Sequence, residues 1–556
     1  MTRTWKWSPD PCRSTTSITA SGTALRTSAS THSLLTILTP RSALRVFGFE
    51  PVLVKGMLEG LGKPAKTMGE ASTPPLSRRP EMGRDSAWLA SADIAAVFLA
   101  LFGQVLLTRA LSTESFGLFI IAIDAFATLF LIVDLGLPTL LARDGAKALH
   151  RVWPSMLRIY RLQAIMLLPF LLLACILTPL IDADWQNHAP VLLACACIAF
   201  AHIASYAPRT ALRVAGEARL EAITKLLERG LTVIGYAVLF WIGSTSVALF
   251  ALAFLVGAVF GFLSALWFSK RLLQPLAAPI EAGTMGDVWV SNRVLLLHAL
   301  PFAITLGVLP YVVRIEKFIV GGHLGLEAAA LFHVAQLAWL AGLVVPQAMR
   351  AALLPLLGEQ RDHPEGFADQ MERSLDFCFG LLPYGLYGGA AVVWLALPLA
   401  FPTQYTDGSM GASAVDLFMI LLFGWCCTLL STPTYTALQA GPKPWHFTGF
   451  IAGVVVFATV VGFLLIGWAS EVSLARGMVA AAIASSTTAA FMLMLSIGLA
   501  SQKGAVAKRG TQWMLSLGLS LVTCIGFVTA WPLALAGLGL FTFTPRGLEA
   551  LRSIDA

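Results

Sequence analysis

Residues 109–119 read RALSTESFGLF, and residues 322–332 read GHLGLEAAALF. Set against each other without gaps at an offset of 213, they share Leu111/Leu324, Glu114/Glu327, Leu118/Leu331 and Phe119/Phe332. Each string closes one long apolar segment and opens the next. Short Leu, Glu and Phe strings recur by chance in an apolar chain, so the identities alone decide little. Their position decides more. The same offset superimposes two sets of six apolar segments, the pattern of a duplicated helical bundle whose halves face each other.

The surrounding composition fixes the solvent. Of 556 residues 57% are hydrophobic and 12% charged, with a mean hydropathy of +0.76. A soluble domain carries about 25% charged residues, so lipid must surround most of this chain. Apolar runs of about 20 residues, the length that crosses a bilayer, predict twelve core spans. The seventh runs over 294–321 and the eighth over 328–349. A further stretch, 513–543, reads either as one tilted span or as a hairpin around Trp531-Pro532. The expected fold is an all-α polytopic membrane protein of two pseudo-symmetric six-helix bundles, plus one or two extra C-terminal helices. The expected organisation is a tail over 1–85, an N-lobe over 86–269, a cytoplasmic connector over 270–293, a C-lobe over 294–501, and C-terminal helix or hairpin with tail over 502–556.

Loop charges predict the orientation. Basic residues gather in alternate connections (Arg143 to Arg161, Arg209 to Arg229, Lys270 to Arg293, Arg350 to Arg373, Lys443, Lys503 to Arg509), while the intervening connections hold Arg109 and Arg476. The positive-inside rule then places the N-terminus in the cytoplasm and the chain in a cell inner (plasma) membrane. The same bias accounts for the net charge of +7 without any nucleic-acid partner. Residues 1–85 are rich in Ser, Thr and Arg and lack a span, reading as a transit peptide, a disordered tail or a start placed too early. Met82 is the expected true start, which intact-mass measurement of the native protein checks. Seven of the eight cysteines lie in or beside apolar segments, without the clustering or polar surroundings that a metal site needs. No cofactor is expected. No Walker motif, nucleophile elbow or paired catalytic carboxylates appear.

Charges inside spans are costly unless they face a cavity or a partner, which makes each a functional candidate. In the first half these are Asp93, Asp124 and Asp134, with Arg109 and Arg143 at span ends. Asp93 lies about two turns into its helix, so it serves either a cavity or the headgroup level. Asp134 precedes Gly136 and Pro138, where a helix-end structural role is expected. In the second half the densest cluster is Arg314-Ile-Glu316-Lys317. Arg314 and Lys317, three apart, share a helix face, and Glu316 is turned away from both. Either Glu316 pairs with another helix or the two cations point into water, where they would attract a phosphate or pyrophosphate. Pro301 and Pro310 should kink this helix, as a gate needs. His202, His298 and His333 lie in or beside spans and serve either proton coupling or packing. Asp376 and Asp416 fall at span edges.

The outer turn 109–119, the Asp134-Leu-Gly136-Leu before Arg143, and RIEKFIVGGHLGLEAAALFHVAQ (314–336) continuing to VVPQAMRAALLPLL (344–357) together form a recognisable order. Over roughly 86–500 the chain resembles the polysaccharide flippases, of the O-antigen and lipid-linked oligosaccharide type, in the multidrug/oligosaccharidyl-lipid/polysaccharide exporter superfamily. The resemblance implies a V-shaped pair of bundles that move a polyprenyl-pyrophosphate-linked oligosaccharide between leaflets by alternating access. It implies that Arg109, Arg143, Arg314 and Lys317 bind the anionic head group. It also implies coupling to H+ or Na+ through Asp124, Glu316 or Asp93, contact with membrane lipid, and polysaccharide polymerases as partners. The family usually places Asp between the span-seven cations, where this chain has Glu316.

Two other classes compete. A multidrug or metabolite exporter of the same shape would present acids to cationic drugs, and the Arg314/Lys317 pair speaks against that. A membrane polysaccharide polymerase or ligase needs polar outer loops, and the longest here is Pro402–Ser413.

Overall fold

The computed structural model describes residues 82–145, 148–181, 185–277, 289–360, 363–441, 444–500 and 509–554. The expected tail over 1–85 therefore falls outside the described residues as far as residue 81, as does 278–288 of the connector, while Met82, the expected start, is the first residue described. The described part is helical throughout. In chain order come α1 (Met82–Ala110), α2 (Thr113–Asp134), α3 (Leu137–Gly145), α4 (Leu149–Ile181), α5 (Trp185–Val214), α6 (Ala218–Trp241) and α7 (Val247–Leu273). Then follow α8 (Asn292–Val312), α9 (Ile315–Leu324), α10 (Leu326–Gly342), α11 (Val344–Glu359), α12 (Pro364–Ala400), α13 (Ala414–Gln439), α14 (Pro444–Ser470) and α15 (Leu474–Ala500). The chain ends with α16 (Gly510–Thr529), the short α17 (Trp531–Ala534), a 3-10 stretch over Leu535–Phe543, and α18 (Thr544–Ile554).

Ten helices among the described residues are long and apolar enough to cross a membrane. The two quoted strings sit at matched places in the fold. Helix α2 starts at Thr113 and α10 at Leu326, so the offset of 213 is kept in space. Ser112 accepts from the Ser115 amide at 3.2 Å to open α2. The matching Gly325 opens α10 with a φ of 94°, a conformation glycine adopts without strain. Packing repeats as well. In the first set α1 packs on α6, α6 on α7, α5 on α7 and α2 on α5. In the second, α8 and α9 pack on α14, α14 on α15, α13 on α15 and α10 on α13.

The two sets meet along α2, which packs against α8, α9 and α10. Contact is closest at small residues, as expected where lipid gives no hydrophobic drive between helices. Gly117 lies so near the Leu326 carbonyl that a side chain would collide with it. At the far end of α2, Gly136 lies against the backbone of Phe302 and Ala303.

Two expected spans differ. The seventh is two helices, α8 and α9, interrupted at Val313–Arg314. Pro310, in the last turn of α8, has no amide to donate. The Val313 carbonyl at the break accepts from Gln336 Nε2 at 3.0 Å. The eighth continues through α11, giving one apolar run over Leu326–Gly358. At the C-terminus, 513–543 is not one continuous helix. The chain reverses at Ala530 and returns beside α16, with Tyr387 donating to the Ala534 carbonyl at 2.6 Å. Arg509 pairs with Asp376, and Gly547 rests on Gly380, which ties this hairpin to α12.

Candidate functional site

The break between α8 and α9 leaves Arg314 as the residue before the first turn of α9. Lys317 follows within that turn. Both side chains therefore leave the same side of a helix end and reach across to α2. Arg314 Nε lies 3.1 Å from Asp124 Oδ1, and Lys317 Nζ lies 2.6 Å from Asp124 Oδ2. Arg314 also donates to the Thr128 hydroxyl, one turn along α2, at 2.9 Å. Lys317 Nζ meets His333 Nδ1 of α10 at 2.8 Å, and the His333 ring packs 5.8 Å from that of Phe116. Lys317 is buried, whereas Asp124 and Arg314 are 17% and 24% exposed. Two cations on one carboxylate leave a net positive charge when His333 is neutral.

Sequence reasoning left Glu316 pairing with another helix or the cations facing water. The structure turns Glu316 toward another helix, and a carboxylate of the opposite set holds both cations. Glu316 points the other way, buried at 1% exposure. It faces the Ser485 and Thr488 hydroxyls of α15, and its two oxygens close no hydrogen bond of normal length.

The remaining candidates stand elsewhere. Arg109 donates to the Ala400 and Leu399 carbonyls at 3.1 and 3.2 Å, capping the end of α12. Arg143 pairs with Asp144 at 2.9 Å, and Asp144 accepts from Trp289 Nε1 at 3.0 Å. Asp93, largely exposed, meets Lys225 at 3.0 Å. Pro301 is passed without interruption of α8, and its carbonyl accepts from the Thr305 and Thr448 hydroxyls. Of the four cations named for head-group binding, Arg314 and Lys317 come together. Of the three acids named for ion coupling, Asp124 joins them.

Several participants carry no mark in the sequence. Thr128 and Gln336 are ordinary span residues, and His333 looks like packing until Lys317 is seen against it. A second buried cluster lies inside the first set. Glu228 of α6 accepts from Arg209 at 2.6 Å and lies 3.0 Å from His202 Nε2. Glu221, seven residues earlier on the same face, pairs with Arg213. That seven-residue spacing of acids, opposite two arginines four apart on α5, is the signal available from sequence.

Both ends of the interface are bridged. At one end Thr113 donates to Glu327 at 3.1 Å. At the other, Arg158 donates to Asn292 and to the Trp289 carbonyl, each at 2.6 Å.

The sequence model of the polysaccharide biosynthesis protein family matches residues 82–360. Solved structures share the fold. A lipid II flippase, MurJ, in an inward closed conformation is 12% identical, with a TM-score of 0.54 over 84% of this chain and 99% of that one. A transporter of the multidrug/oligosaccharidyl-lipid/polysaccharide superfamily from Pyrococcus furiosus is 15% identical, with a TM-score of 0.52 over 76% and 96%. A multidrug resistance transporter of the same superfamily, outward-facing, is 14% identical, with a TM-score of 0.51 over 76% and 95%. No curated protein matches the chain. The chain belongs to the polysaccharide biosynthesis protein family, and its fold is that of transporters and flippases.

Proposed function

We propose that this member of the polysaccharide biosynthesis protein family moves a polyprenyl-pyrophosphate-linked oligosaccharide across the inner membrane, by ion-coupled alternating access. The observation that carries the reading is the convergence of Arg314 and Lys317 on Asp124, between the two helix sets. A pyrophosphate with attached sugars cannot enter about 30 Å of hydrocarbon unaided. It can cross beside cations that face a polar space, while its prenyl chain stays in lipid. Arg supplies a bidentate fork for phosphate and Lys a point charge.

Asp124 gives this site its switch. With Asp124 ionised, the two cations are held and the substrate must compete for them. A proton or Na+ on Asp124 releases them to the pyrophosphate. Ion and substrate then favour each other, and by linkage each strengthens the other's binding equally. Glu316 with Ser485 and Thr488 offers a second set of oxygen donors suited to H+ or Na+. In the proposed orientation Thr113–Glu327 closes the outer end, and Arg158–Asn292 with Asp144–Trp289 closes the inner end. Alternating access opens one of these at a time.

The test is reconstitution into liposomes with a labelled polyprenyl-linked oligosaccharide, following leaflet transfer with and without an ion gradient. Transfer of a cationic drug in place of the lipid-linked sugar would replace this reading with the exporter.

A further inference from the structure

The switch at Asp124 leaves one membrane-embedded carboxylate without a task. Asp134 ends α2, is 3% exposed, and has one hydrogen-bond partner, Gln163 Nε2 of α4, at 3.2 Å. No cation among the described residues pairs with it. The preceding residue, Val133, packs in an apolar cluster with Ala199 and Ile203, with Met166, Leu167 and Phe170 against them. The backbone beside it is unusual. Leu135 has a φ of 55° and Gly136 one of 63°, so two left-handed residues in a row separate α2 from α3. A leucine in that region is strained and persists because its surroundings hold it. Gly136, in turn, is wedged against α8 at Phe302 and Ala303.

Most charged groups on neighbouring elements are engaged elsewhere, and Tyr160 of α4, three residues before Gln163, donates to the Ala204 carbonyl at 2.7 Å. On α9 and α10, Arg314, Lys317 and His333 serve Asp124, and Glu327 serves Thr113. On α5, His202, Arg209 and Arg213 serve Glu228 and Glu221. On α3, Arg143 and Asp144 hold each other, and on α4 Arg158 binds Asn292 while Arg161 is exposed. His298 of α8 contacts its own helix, and Arg271 of α7 stacks on Trp267. On α1, Asp93 meets Lys225, and Arg109 lies at the opposite end. Tyr206 of α5 is the titratable group whose field Asp134 shares, and it lies toward Glu228, Arg209 and Arg314.

We propose that Asp134 is a proton site at the α2–α3 hinge, occupied in this conformation. An ionised carboxylate with a single amide donor is poorly compensated inside apolar packing, and such a group neutralises instead. One carboxylate and one amide do not make a coordination shell for a metal cation, so the ligand is a proton. Losing that proton requires water to reach Asp134, and the contact of Gly136 with α8 bars the way. Proton release therefore accompanies separation of α3 from α8, and rebinding accompanies their closure. The coupling role rests on the flippase reading; the proton does not.

Infrared difference spectra of the protein in lipid nanodiscs, recorded as pH is raised, read the proton directly. The wild type should lose a protonated-carboxyl band that Asp134→Asn lacks, while Glu316→Gln and Asp124→Asn retain it and added Na+ leaves it in place. Gln163→Leu, which keeps Asp134, should move that band to higher frequency by removing its hydrogen bond. A full set of carboxyl bands in Asp134→Asn, or no movement in Gln163→Leu, overturns the proposal. If Asp134→Asn does not fold, the Gln163→Leu shift decides. Leaflet transfer that fails while the band behaves as described sinks the flippase reading and leaves the proton site standing.

Discussion

Helix α1 and the pair α8–α9 hold matching places in the two helix sets, and they differ in one respect. The first runs unbroken for 29 residues, whereas the second is interrupted at Val313–Arg314. The partners of these helices differ too. Helix α6, on which α1 packs, carries Glu221 and Glu228, neutralised by arginines of α5 in the same set. Helix α14, on which α8 and α9 pack, carries no Asp, Glu, Lys or Arg. The charges of the second set reach across instead, to Asp124. Pairs within a set hold helices that move together. Under the proposed alternating access, a pair between sets holds helices that must part, so the same chemistry would serve stability in one half and function in the other.

The strongest attempt to break this comparison removes one cation from each. Arg314→Ala should abolish leaflet transfer while the protein remains inserted and melts near the wild-type temperature. Arg209→Ala leaves buried Glu228 with His202 and Arg229 and should cost about 1–3 kcal/mol of stability. Thermal melting in detergent checks both, and equal destabilisation by the two variants would erase the distinction.

Asp124→Asn comes next. It keeps both cations and removes their counter-ion, so the pyrophosphate-linked lipid should bind about tenfold tighter, roughly 1.4 kcal/mol. Its transfer should respond less to an ion gradient than that of the wild type. Binding measured with and without the gradient reads both effects.

Gly117→Val sharpens the comparison at the α2–α10 contact, where the Leu326 carbonyl leaves no room. The expected outcome is an interface held apart at that end, seen as faster labelling of a cysteine placed at Thr113. The smallest effect belongs to Glu327→Gln. It weakens one hydrogen bond to Thr113, worth about 0.5–1.5 kcal/mol, and should change transfer by a few-fold.

Much of the architecture was legible because lipid imposes it. Span length, apolar content and the offset between the two strings gave an all-helical fold with a repeat that the packing reproduces. The break in the seventh span was hidden, since Val313 and Arg314 interrupt no hydrophobic pattern and the prolines blamed for a kink lie before it. The face shared by Arg314 and Lys317 was legible from spacing. Their partner was not, because Asp124 is about 190 residues away in sequence and pairing across helix sets leaves no local trace. Glu228 was hidden for the opposite reason. It lies in a stretch whose alternating charge, RLEAITKLLERG, reads as a polar connector until α5 is packed on it.

The central claim is that Arg314 and Lys317, released from Asp124, carry a lipid-linked pyrophosphate between leaflets. Leaflet transfer of a labelled polyprenyl-pyrophosphate oligosaccharide in proteoliposomes, comparing wild type with Arg314→Ala/Lys317→Ala, tests it most directly. The account predicts transfer by the wild type that an ion gradient accelerates, and none by the double variant present at equal density. Equal transfer by both proteins would contradict it.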